Sequence, residues 1–403
     1  MLRCENMNPD LALLQPYPFE KLRGLFKNTT ANAALSPILL SIGEPKHPTP
    51  PFITDALVDN LGGLSRYPLT LGSDSLRATI AAWLKRRYNL NELDGSTQVL
   101  PTLGSREAIF ALAQTLVDRT KSNATVICPN PFYQIYEGAA LLAGAQPHYI
   151  NTIAKDNFRF DAASIPDDVW ARTQLVYACS PSNPTGKVMS IDEWEQLFDR
   201  SAKFGFTIVS DECYSEIYLD NANPPLGALE AAQLLGLTDY ARLVVMGSLS
   251  KRSNVPGMRS GYAAGDASIL KKFALYRTYH GSAMNPAVQA ASEIAWKDEA
   301  HVIENRRLYR EKFRAFYEIV NPALPLNMPD AAFYFWVKTP IADTEFARRL
   351  YQDQNVTVLA GNYLGREAHG INPGENYVRM AMVSPLNECI DAAHRIAKFV
   401  KTL

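Results

Sequence analysis

The sequence predicts an α/β protein with a large, mainly parallel sheet domain and a second, smaller α/β domain. Between residues 105 and 247, short apolar runs typical of buried strands alternate with longer helical patterns. This alternation favours parallel strands joined by helices. A long helical pattern then leads into further strand patterns near the C-terminus. At 403 residues the chain is long enough for about two domains, each with its own core.

The elements follow this alternation in order. Helices are predicted near residues 105–117, 134–142 and 192–204, and strands at 125–128, 175–179, 206–210 and 242–247. Pro286, at a first-turn position after Asn285, predicts one long connecting helix through about Ile319. Strands follow at 332–337, where the aromatic side chains favour the core over a cofactor site, and at 376–382.

Composition argues against several classes of protein. A net charge of −1 gives little support for binding to nucleic acid or anionic membranes. The five scattered cysteines contain no C-x-x-C pair, which favours a reducing compartment, and the six histidines lack metal-ligand spacing, so no metal site is expected. Apolar runs fall far short of the roughly 20 residues of a membrane span, and residues 1–6 lack the apolar core of a secretory signal. We therefore expect a cytoplasmic protein, and we assign no function to residues 1–6.

Two short segments carry groups suited to one cofactor. Asp211 ends the apolar run 207–209, while Ser248, Ser250 and Lys251 follow the run 243–246, with Arg259 eight residues later. Each segment alone could be a solvated strand end or a turn. Together they offer an amine for an aldehyde, an acid for a pyridine nitrogen, and hydroxyls with a cation for a phosphate. These are the groups that pyridoxal 5′-phosphate requires.

Two further motifs stand at the ends of predicted elements. Asn183 lies on a loop bracketed by prolines after the strand at 175–179, although Asn-Pro and Thr-Gly also form plain turns. Residues 104–106 open a helix, where free backbone N–H groups bind anions, although an ordinary helix cap fits equally well. Since ligands bind at the carboxyl ends of parallel strands, Asn183, Asp211 and Ser248 should meet there.

Arg379 interrupts a strand pattern near the C-terminus. A buried guanidinium without a partner would be very costly, so this side chain is either exposed or meets an anion. The sequence contains neither G-x-G-x-x-G nor G-x-x-x-x-G-K-[ST]. Nicotinamide and nucleoside triphosphate cofactors therefore lose their main support.

In this order the motifs resemble those of the class I/II pyridoxal-phosphate aminotransferases, which have the aspartate aminotransferase fold. The matching residues are Gly104-Ser105-Arg106, Tyr133, Asn183-Pro184-Thr185-Gly186, Asp211-Glu212-x-Tyr214, Ser248-x-Ser250-Lys251, Arg259 and Arg379. The resemblance runs from about Pro37 to the C-terminus. Segments 15–22, 41–50, 129–138 and 276–281 further resemble the succinyldiaminopimelate aminotransferases of bacterial lysine biosynthesis, and that resemblance covers nearly the whole chain.

The resemblance implies the pyridoxal-phosphate transferase fold. Residues 1–36 would form an N-terminal arm and the start of the small domain, 37–285 the large cofactor-binding domain, and 286–403 the C-terminal small domain. Lys251 would bond to the cofactor aldehyde and move protons during catalysis. Asp211 would pair with the pyridine nitrogen. Tyr214 and Asn183 would hydrogen-bond the phenolic oxygen.

The remaining implied roles concern the ring, the phosphate and the substrate. Tyr133 would stack on the ring. The phosphate would be held by a cup made of Gly104, Ser105, Arg106, Ser248, Ser250 and Arg259. Arg379, helped by Asn183 and by the backbone of Gly43, would bind the substrate α-carboxylate. Tyr67 would reach the phosphate of a neighbouring subunit, which implies a homodimer with shared active sites.

The implied reaction moves an amino group from glutamate to N-succinyl-2-amino-6-oxopimelate, giving 2-oxoglutarate and N-succinyl-L,L-2,6-diaminopimelate. Cations for the distal succinyl group could come from Lys21, Arg23, Lys46 or Arg277, although each could equally be a solvated surface charge. Other enzymes of the fold, namely acetylornithine, aspartate or aromatic aminotransferases and carbon–sulfur lyases, stay open as alternatives. A non-enzymatic effector-sensing domain is disfavoured, because the roughly 36 residues before the aminotransferase-like region show no helix-turn-helix pattern.

Overall fold

The computed structural model describes residues 7–403, so Cys4 and the rest of residues 1–6 lie outside the described part. The strands are β1 (Ile38–Leu39), β2 (Val99–Thr102), β3 (Thr125–Asn130), β4 (Gln146–Asn151), β5 (Thr173–Cys179), β6 (Thr207–Asp211), β7 (Leu243–Ser248), β8 (Gly261–Gly265), β9 (Tyr334–Lys338), β10 (Val356–Thr357), β11 (Leu359–Ala360) and β12 (Tyr377–Ala381). The α-helices are α1 (Pro18–Phe26), α2 (Pro51–Asp59), α3 (Asp74–Tyr88), α4 (Ser105–Leu116), α5 (Ile135–Leu142), α6 (Asp167–Arg172), α7 (Ile191–Phe204), α8 (Ala228–Leu234), α9 (Leu249–Arg252), α10 (Ala267–His280), α11 (Pro286–Lys297), α12 (Ala300–Val320), α13 (Asp343–Gln354) and α14 (Leu386–Val400).

A seven-stranded sheet has the order β2-β8-β7-β6-β5-β3-β4. Neighbouring strands run parallel except at β8, which is antiparallel to both β2 and β7. The predicted α/β class with a mainly parallel sheet is therefore confirmed. The register places Cys179 beside Asp211, and Asp211 beside Met246. The carboxyl ends of β5, β6 and β7 thus meet at one edge and bring the turns that follow them together.

Helices pack on both faces of this sheet. Side chains alternate along β5, so that Leu175 and Tyr177 pack with α4, α5 and α10, whereas Val176 and Ala178 pack with α3, α7, α8 and α11. Strands buried on both faces read as continuous apolar runs, which explains why the sequence pattern located them. Among residues 7–403, none of the helices is both long and apolar enough to cross a membrane.

A second core surrounds a smaller antiparallel sheet of order β11-β12-β9. Helices α12, α13 and α14 contribute Phe313, Phe346 and Ile396 to this core, where they join Phe335 and Met380 of the sheet. The short strand β1 pairs in parallel with β10 beside it. In this arrangement the N-terminal and C-terminal parts of the chain share one core.

Helices α11 and α12 replace the single long helix predicted from Asn285 to about Ile319, and that prediction is wrong. The break falls at Asp298, whose backbone is extended. Its carboxylate accepts a hydrogen bond from the backbone N–H of His301 at 3.0 Å. Because such a cap satisfies a free N–H at a helix start, a new helix begins there.

The two cores do not follow the predicted domain limits in every detail. Ala291 and Trp296 of α11 pack with the large sheet, although the predicted limit at residue 285 places them in the small domain. Ile38 and Leu40 pack in the second core, although they lie after the predicted limit at residue 36. The large-sheet core therefore extends beyond residue 285, and the second core includes residues beyond 36.

Candidate active site

A cavity of about 440 Å³ lies at the edge where β5, β6 and β7 end. The second sheet closes it from the other side through Tyr334, Leu359 and Arg379. Most of the predicted site residues line it, namely Gly43, Ser105, Arg106, Tyr133, Asn183, Asp211, Tyr214, Ser248, Ser250, Lys251, Arg259 and Arg379. The fold thus brings into one cavity side chains that are spread over more than 300 residues of sequence.

Lys251 stands on the short helix α9, which begins directly after β7. Its Nζ donates a hydrogen bond to the backbone oxygen of Gly43 at 2.6 Å. Burial lowers the pKa of Lys251 to about 8; nearby Cys213 and Glu44 raise it, and Arg379 lowers it. A larger fraction of neutral amine therefore exists near neutral pH than for an exposed lysine. The neutral amine is the form that attacks a carbonyl carbon and accepts a proton.

Asp211 ends β6 and is almost completely buried. Its Oδ2 accepts a hydrogen bond from the Tyr136 hydroxyl at 2.6 Å, and its Oδ1 accepts one from the backbone N–H of Cys213 at 3.2 Å. Burial raises the pKa of this carboxyl, while the bonds from Tyr136 and Cys213 act against that rise. A carboxylate placed this way can hold a proton on a ring nitrogen brought into the cavity.

An anion cradle forms where the start of α4 meets the turn after β7. Gly104 caps α4 with a φ of 79°, and a Cβ at this position would collide with the guanidinium of Arg259. Free backbone N–H groups at the start of α4 attract an anion. Ser248 Oγ lies 2.8 Å from Ser250 Oγ, which in turn lies 3.4 Å from Arg259 Nη1. Hydroxyls, amides and a cation thus converge on one corner of the cavity.

Arg379 is buried on β12, and its guanidinium reaches the opposite side of the cavity. Its Nη1 donates to Asn183 Oδ1 at 2.9 Å and its Nη2 to the backbone oxygen of Ser41 at 2.8 Å. The ring of Tyr334 lies under the guanidinium, 4.4 Å from the Cζ atom. Within residues 7–403 no ion pair joins Arg379 to a carboxylate, and its buried Nε has no hydrogen-bond partner. The site therefore offers a fixed cation for a carboxylate that the described part of the chain does not supply.

The sequence profile described as "Aminotransferase class I and II" matches residues 36–396. This chain belongs to that family. The LL-diaminopimelate aminotransferase of Aquifex aeolicus is 31% identical over 392 residues, covering 96% of this chain and 97% of that protein. An aminotransferase structure from Neisseria meningitidis is 50% identical, with a TM-score of 0.95, covering 98% of this chain and 100% of that one. A Thermus thermophilus structure described as a "probable N-succinyldiaminopimelate aminotransferase" is 26% identical, with a TM-score of 0.82, covering 94% and 98%.

Class I/II aminotransferases use pyridoxal 5′-phosphate, and the cavity of this aminotransferase fits that cofactor. The cradle beside Gly104 suits a phosphate, the buried Asp211 suits a pyridine nitrogen, and Lys251 supplies an amine of lowered pKa. Tyr133, predicted to stack on the ring, lines the same cavity and accepts a hydrogen bond from Arg106 Nε at 2.6 Å. The role of each single residue stays a prediction.

Two tyrosines of this aminotransferase site were missed by the sequence analysis. The Tyr136 hydroxyl donates a hydrogen bond to Asp211 Oδ2, and the Tyr334 hydroxyl lies 2.8 Å from the Tyr214 hydroxyl. The strand at 332–337 was predicted to be core rather than site. Phe333 and Phe335 do lie in the core, whereas Tyr334 also lines the cavity. The hydroxyl of Tyr334 could have indicated this role, because a tyrosine hydroxyl in an otherwise apolar, buried strand needs a hydrogen-bond partner.

Tyr67 lies outside this cavity. Its side chain is fully exposed and lines a separate shallow surface pocket with Gly63, Pro286 and Gln289. The predicted contact of Tyr67 with a neighbouring subunit stays a prediction. Its exposure leaves the side chain free for such a contact.

The proposed distal cations take different positions. Arg277 is completely buried and pairs with Glu107 at 3.1 Å, so it is neither a solvated charge nor part of the cavity wall. Lys46 donates to Ser384 Oγ at 3.2 Å, and Arg23 is exposed, 3.9 Å from Glu20. Lys21 is partly buried, and in the described part of the chain its amine has no hydrogen-bond partner. None of these four cations lines the cavity, and Lys21 lines a separate surface pocket with Gly365 and Arg366.

Proposed function

We propose that this aminotransferase exchanges an amino group between glutamate/2-oxoglutarate and N-succinyl-L,L-2,6-diaminopimelate/N-succinyl-2-amino-6-oxopimelate. One observation carries the choice of an α-amino acid substrate. Among residues 7–403, Arg379 is a buried cation that no carboxylate pairs with, and it lies in the same cavity as the Lys251 amine of lowered pKa. The succinylated substrate is supported by the motif resemblance and by the description of the Thermus structure.

Each side chain has a distinct task in this proposal. When bound, pyridoxal phosphate supplies an electrophilic carbon and an electron-withdrawing ring. Arg379 binds the substrate α-carboxylate through paired N–H groups, with Asn183 holding the guanidinium in place. Lys251 would accept the proton from the substrate Cα and deliver it to C4′, the carbon of the cofactor's aldehyde group. Asp211 keeps a proton on the ring nitrogen, and Tyr214 donates to the phenolic oxygen.

Unmodified LL-diaminopimelate is the second candidate substrate. It is favoured by the name of the Aquifex relative and by relatives of the same name from Maridesulfovibrio salexigens and other bacteria. Glu44 also lines the cavity and would attract the distal ammonium of the unmodified substrate. Succinylation replaces that ammonium with an amide and adds a distant carboxylate. Both candidates keep the distal α-carboxylate, so they differ in that the unmodified substrate needs an anion for its distal ammonium and the succinylated one needs a cation for the succinyl carboxylate.

The test compares catalytic efficiencies. We expect kcat/KM with N-succinyl-L,L-diaminopimelate to exceed that with free LL-diaminopimelate, aspartate or tyrosine by at least about a hundredfold. One charge-assisted hydrogen bond to the distal carboxylate can supply about that factor. A preference for the free compound would establish the second candidate instead. Equal efficiencies would leave an aminotransferase of broad specificity.

The proposal includes a homodimer with shared active sites. Side chains between α2 and α3 support it, since a run of apolar residues is exposed there on a single chain: Leu61, Leu64, Tyr67, Leu69 and Leu71. Exposed apolar patches of this kind mark surfaces that another protein covers. In this proposal Tyr67, which belongs to the same exposed surface, reaches the phosphate site of the neighbouring subunit.

A further inference from the structure

Tyr136 lies directly behind the carboxylate that is proposed to face the cofactor ring. It projects from α5 and is completely buried. Its hydroxyl donates to Asp211 Oδ2 at 2.6 Å, while the N–H of Cys213 donates to Oδ1 at 3.2 Å. Each oxygen of the carboxylate therefore has one protein donor, and its plane is fixed from two sides.

The ring of Tyr136 has little freedom to move. It stacks on the ring of Tyr177 with a centroid distance of 4.7 Å and an interplanar angle of 17°. The edge of Tyr133 approaches it at 5.8 Å and 89°. Tyr177 is itself held by a hydrogen bond from its hydroxyl to the backbone oxygen of Ile109 at 2.9 Å. The hydroxyl of Tyr136 is thus aimed at Asp211 by packing as well as by the hydrogen bond.

The pKa shifts of the two groups favour a hydrogen bond in which Tyr136 is the donor and Asp211 the acceptor. Burial raises the pKa of Tyr136 well above its usual range, and the charge of Asp211 raises it further. Tyr136 therefore stays a neutral donor. Burial also raises the pKa of Asp211, which would favour a protonated carboxyl, and the Tyr136 hydrogen bond is the largest influence acting in the other direction. The thiols of Cys179 and Cys213, whose pKa values burial raises, stay protonated beside it.

We propose that Tyr136 is a positioning residue for the reaction: its hydroxyl keeps Asp211 ionised and oriented, so that the cofactor's ring nitrogen, and not Asp211, carries the proton they share. This inference rests on the role proposed above for Asp211. Without the hydroxyl, the proton moves toward the carboxylate. The ring then withdraws electrons less strongly, and removal of the substrate Cα proton slows.

The test measures where the proton lies. Holoenzyme is prepared with pyridoxal phosphate labelled with ¹⁵N in the ring, as wild type, Tyr136→Phe and Tyr177→Phe. The Tyr177→Phe variant is a matched control, because it loses one buried hydroxyl from the neighbouring ring without touching Asp211. We expect the nitrogen resonance of Tyr136→Phe to shift toward that of unprotonated pyridine, and the half-reaction with saturating glutamate to slow about tenfold. Tyr177→Phe should match the wild type in both measurements.

An unchanged resonance in Tyr136→Phe, or an equal shift in Tyr177→Phe, would overturn the inference. If Tyr136→Phe does not fold, p-aminophenylalanine at position 136 keeps the ring and a weaker donor. It should shift the resonance in the same direction by a smaller amount, and no shift would again overturn the inference. A wild-type enzyme with an unprotonated ring nitrogen would instead refute the role of Asp211 itself, so the two failures are distinct.

Discussion

Arg379 on the second sheet donates a hydrogen bond to Asn183 Oδ1, on the loop after β5, at 2.9 Å. The two residues are separated by 196 positions in the sequence. The contact joins the small antiparallel sheet to the edge of the large one at the proposed substrate carboxylate site. A substrate bound there would add a second anchor between the two cores. Substrate binding and the relative position of the two sheets should therefore be coupled.

Lys251 should carry the cofactor. Reduction of the holoenzyme with borohydride, followed by peptide mapping, should find pyridoxal on Lys251. Lys251→Ala should lower turnover by several orders of magnitude. Lys297→Ala, which changes an exposed lysine paired with Glu293, serves as a control and should keep full activity. A label on any other lysine would contradict the assignment.

The pH dependence of cofactor uptake should report the same amine. The folded-state pKa of Lys251 is lowered to about 8, so the neutral form becomes dominant as the pH rises through that value. The rate at which apoenzyme bonds covalently to pyridoxal phosphate should therefore rise with pH and reach half its maximum near pH 8. Stopped-flow absorbance measures this rate. A midpoint near 10.5, the ordinary value for lysine, would mean that the amine is not desolvated in the apoenzyme.

Asp211→Asn should bind the cofactor and still lose most of its transamination rate, because a neutral amide cannot hold the ring-nitrogen proton. Tyr214→Phe should lose less, since it removes one donor to the phenolic oxygen and leaves the ring nitrogen unaffected. Single-turnover absorbance with glutamate measures both. Normal activity in Asp211→Asn would show that this carboxylate is not needed to hold the proton on the ring nitrogen.

The sequence predictions succeeded where a local pattern marks a site residue, and they missed residues whose contacts join distant parts of the chain. Lys251 and Asp211 were found because each directly follows a strand with a clear apolar pattern, and parallel strand ends meet at one edge. Tyr136 occupies an ordinary buried helix position, and its partner Asp211 lies 75 residues away, so no local pattern indicates the contact. For Tyr334 the separation from Tyr214 is 120 residues.

The break between α11 and α12 was missed for a different reason. The helical pattern continues across Asp298, and the interruption depends on one carboxylate that caps the backbone of His301. Helix propensity alone gives aspartate only a small penalty, so a single such residue does not indicate a break. Packing supports the same break, because α11 joins one core and α12 the other.

Tyr67 should act across a dimer interface. A chain with Tyr67→Ala and an intact Lys251 is mixed with a chain that has an intact Tyr67 and Lys251→Ala. In a mixed dimer one of the two composite sites then contains both residues, so activity should return. Tagged chains purified as heterodimers provide the measurement. Heterodimers that form and remain inactive would show that Tyr67 does not complete the neighbouring site.

The distal end of the substrate provides the most specific prediction. Tyr17, Pro18 and Phe19 line the cavity, and Lys21 follows them in the first turn of α1, where it lines a separate surface pocket. Within residues 7–403 the Lys21 amine has no hydrogen-bond partner, and burial together with the nearby Arg366 lowers its pKa. A substrate carboxylate bound beside Lys21 would stabilise the charged form of its amine, which burial and Arg366 disfavour. Lys21→Gln should therefore lower kcat/KM for the succinylated substrate by roughly tenfold and leave glutamate almost unaffected.

The matched control is Lys27→Gln, since Lys27 is exposed at the opposite end of the same helix. Glu44→Gln extends the test with the opposite charge, because removing an anion from the cavity wall should weaken binding of the free distal ammonium but should not harm the succinylated substrate, whose distal nitrogen is an uncharged amide. Arg379→Ala should damage every amino donor, glutamate included, because all share the α-carboxylate. If Lys21→Gln lowers kcat/KM equally for succinylated and free diaminopimelate, Lys21 does not bind the succinyl group. A loss confined to free diaminopimelate in Glu44→Gln, together with a preference for that compound, would assign this enzyme to the unmodified substrate.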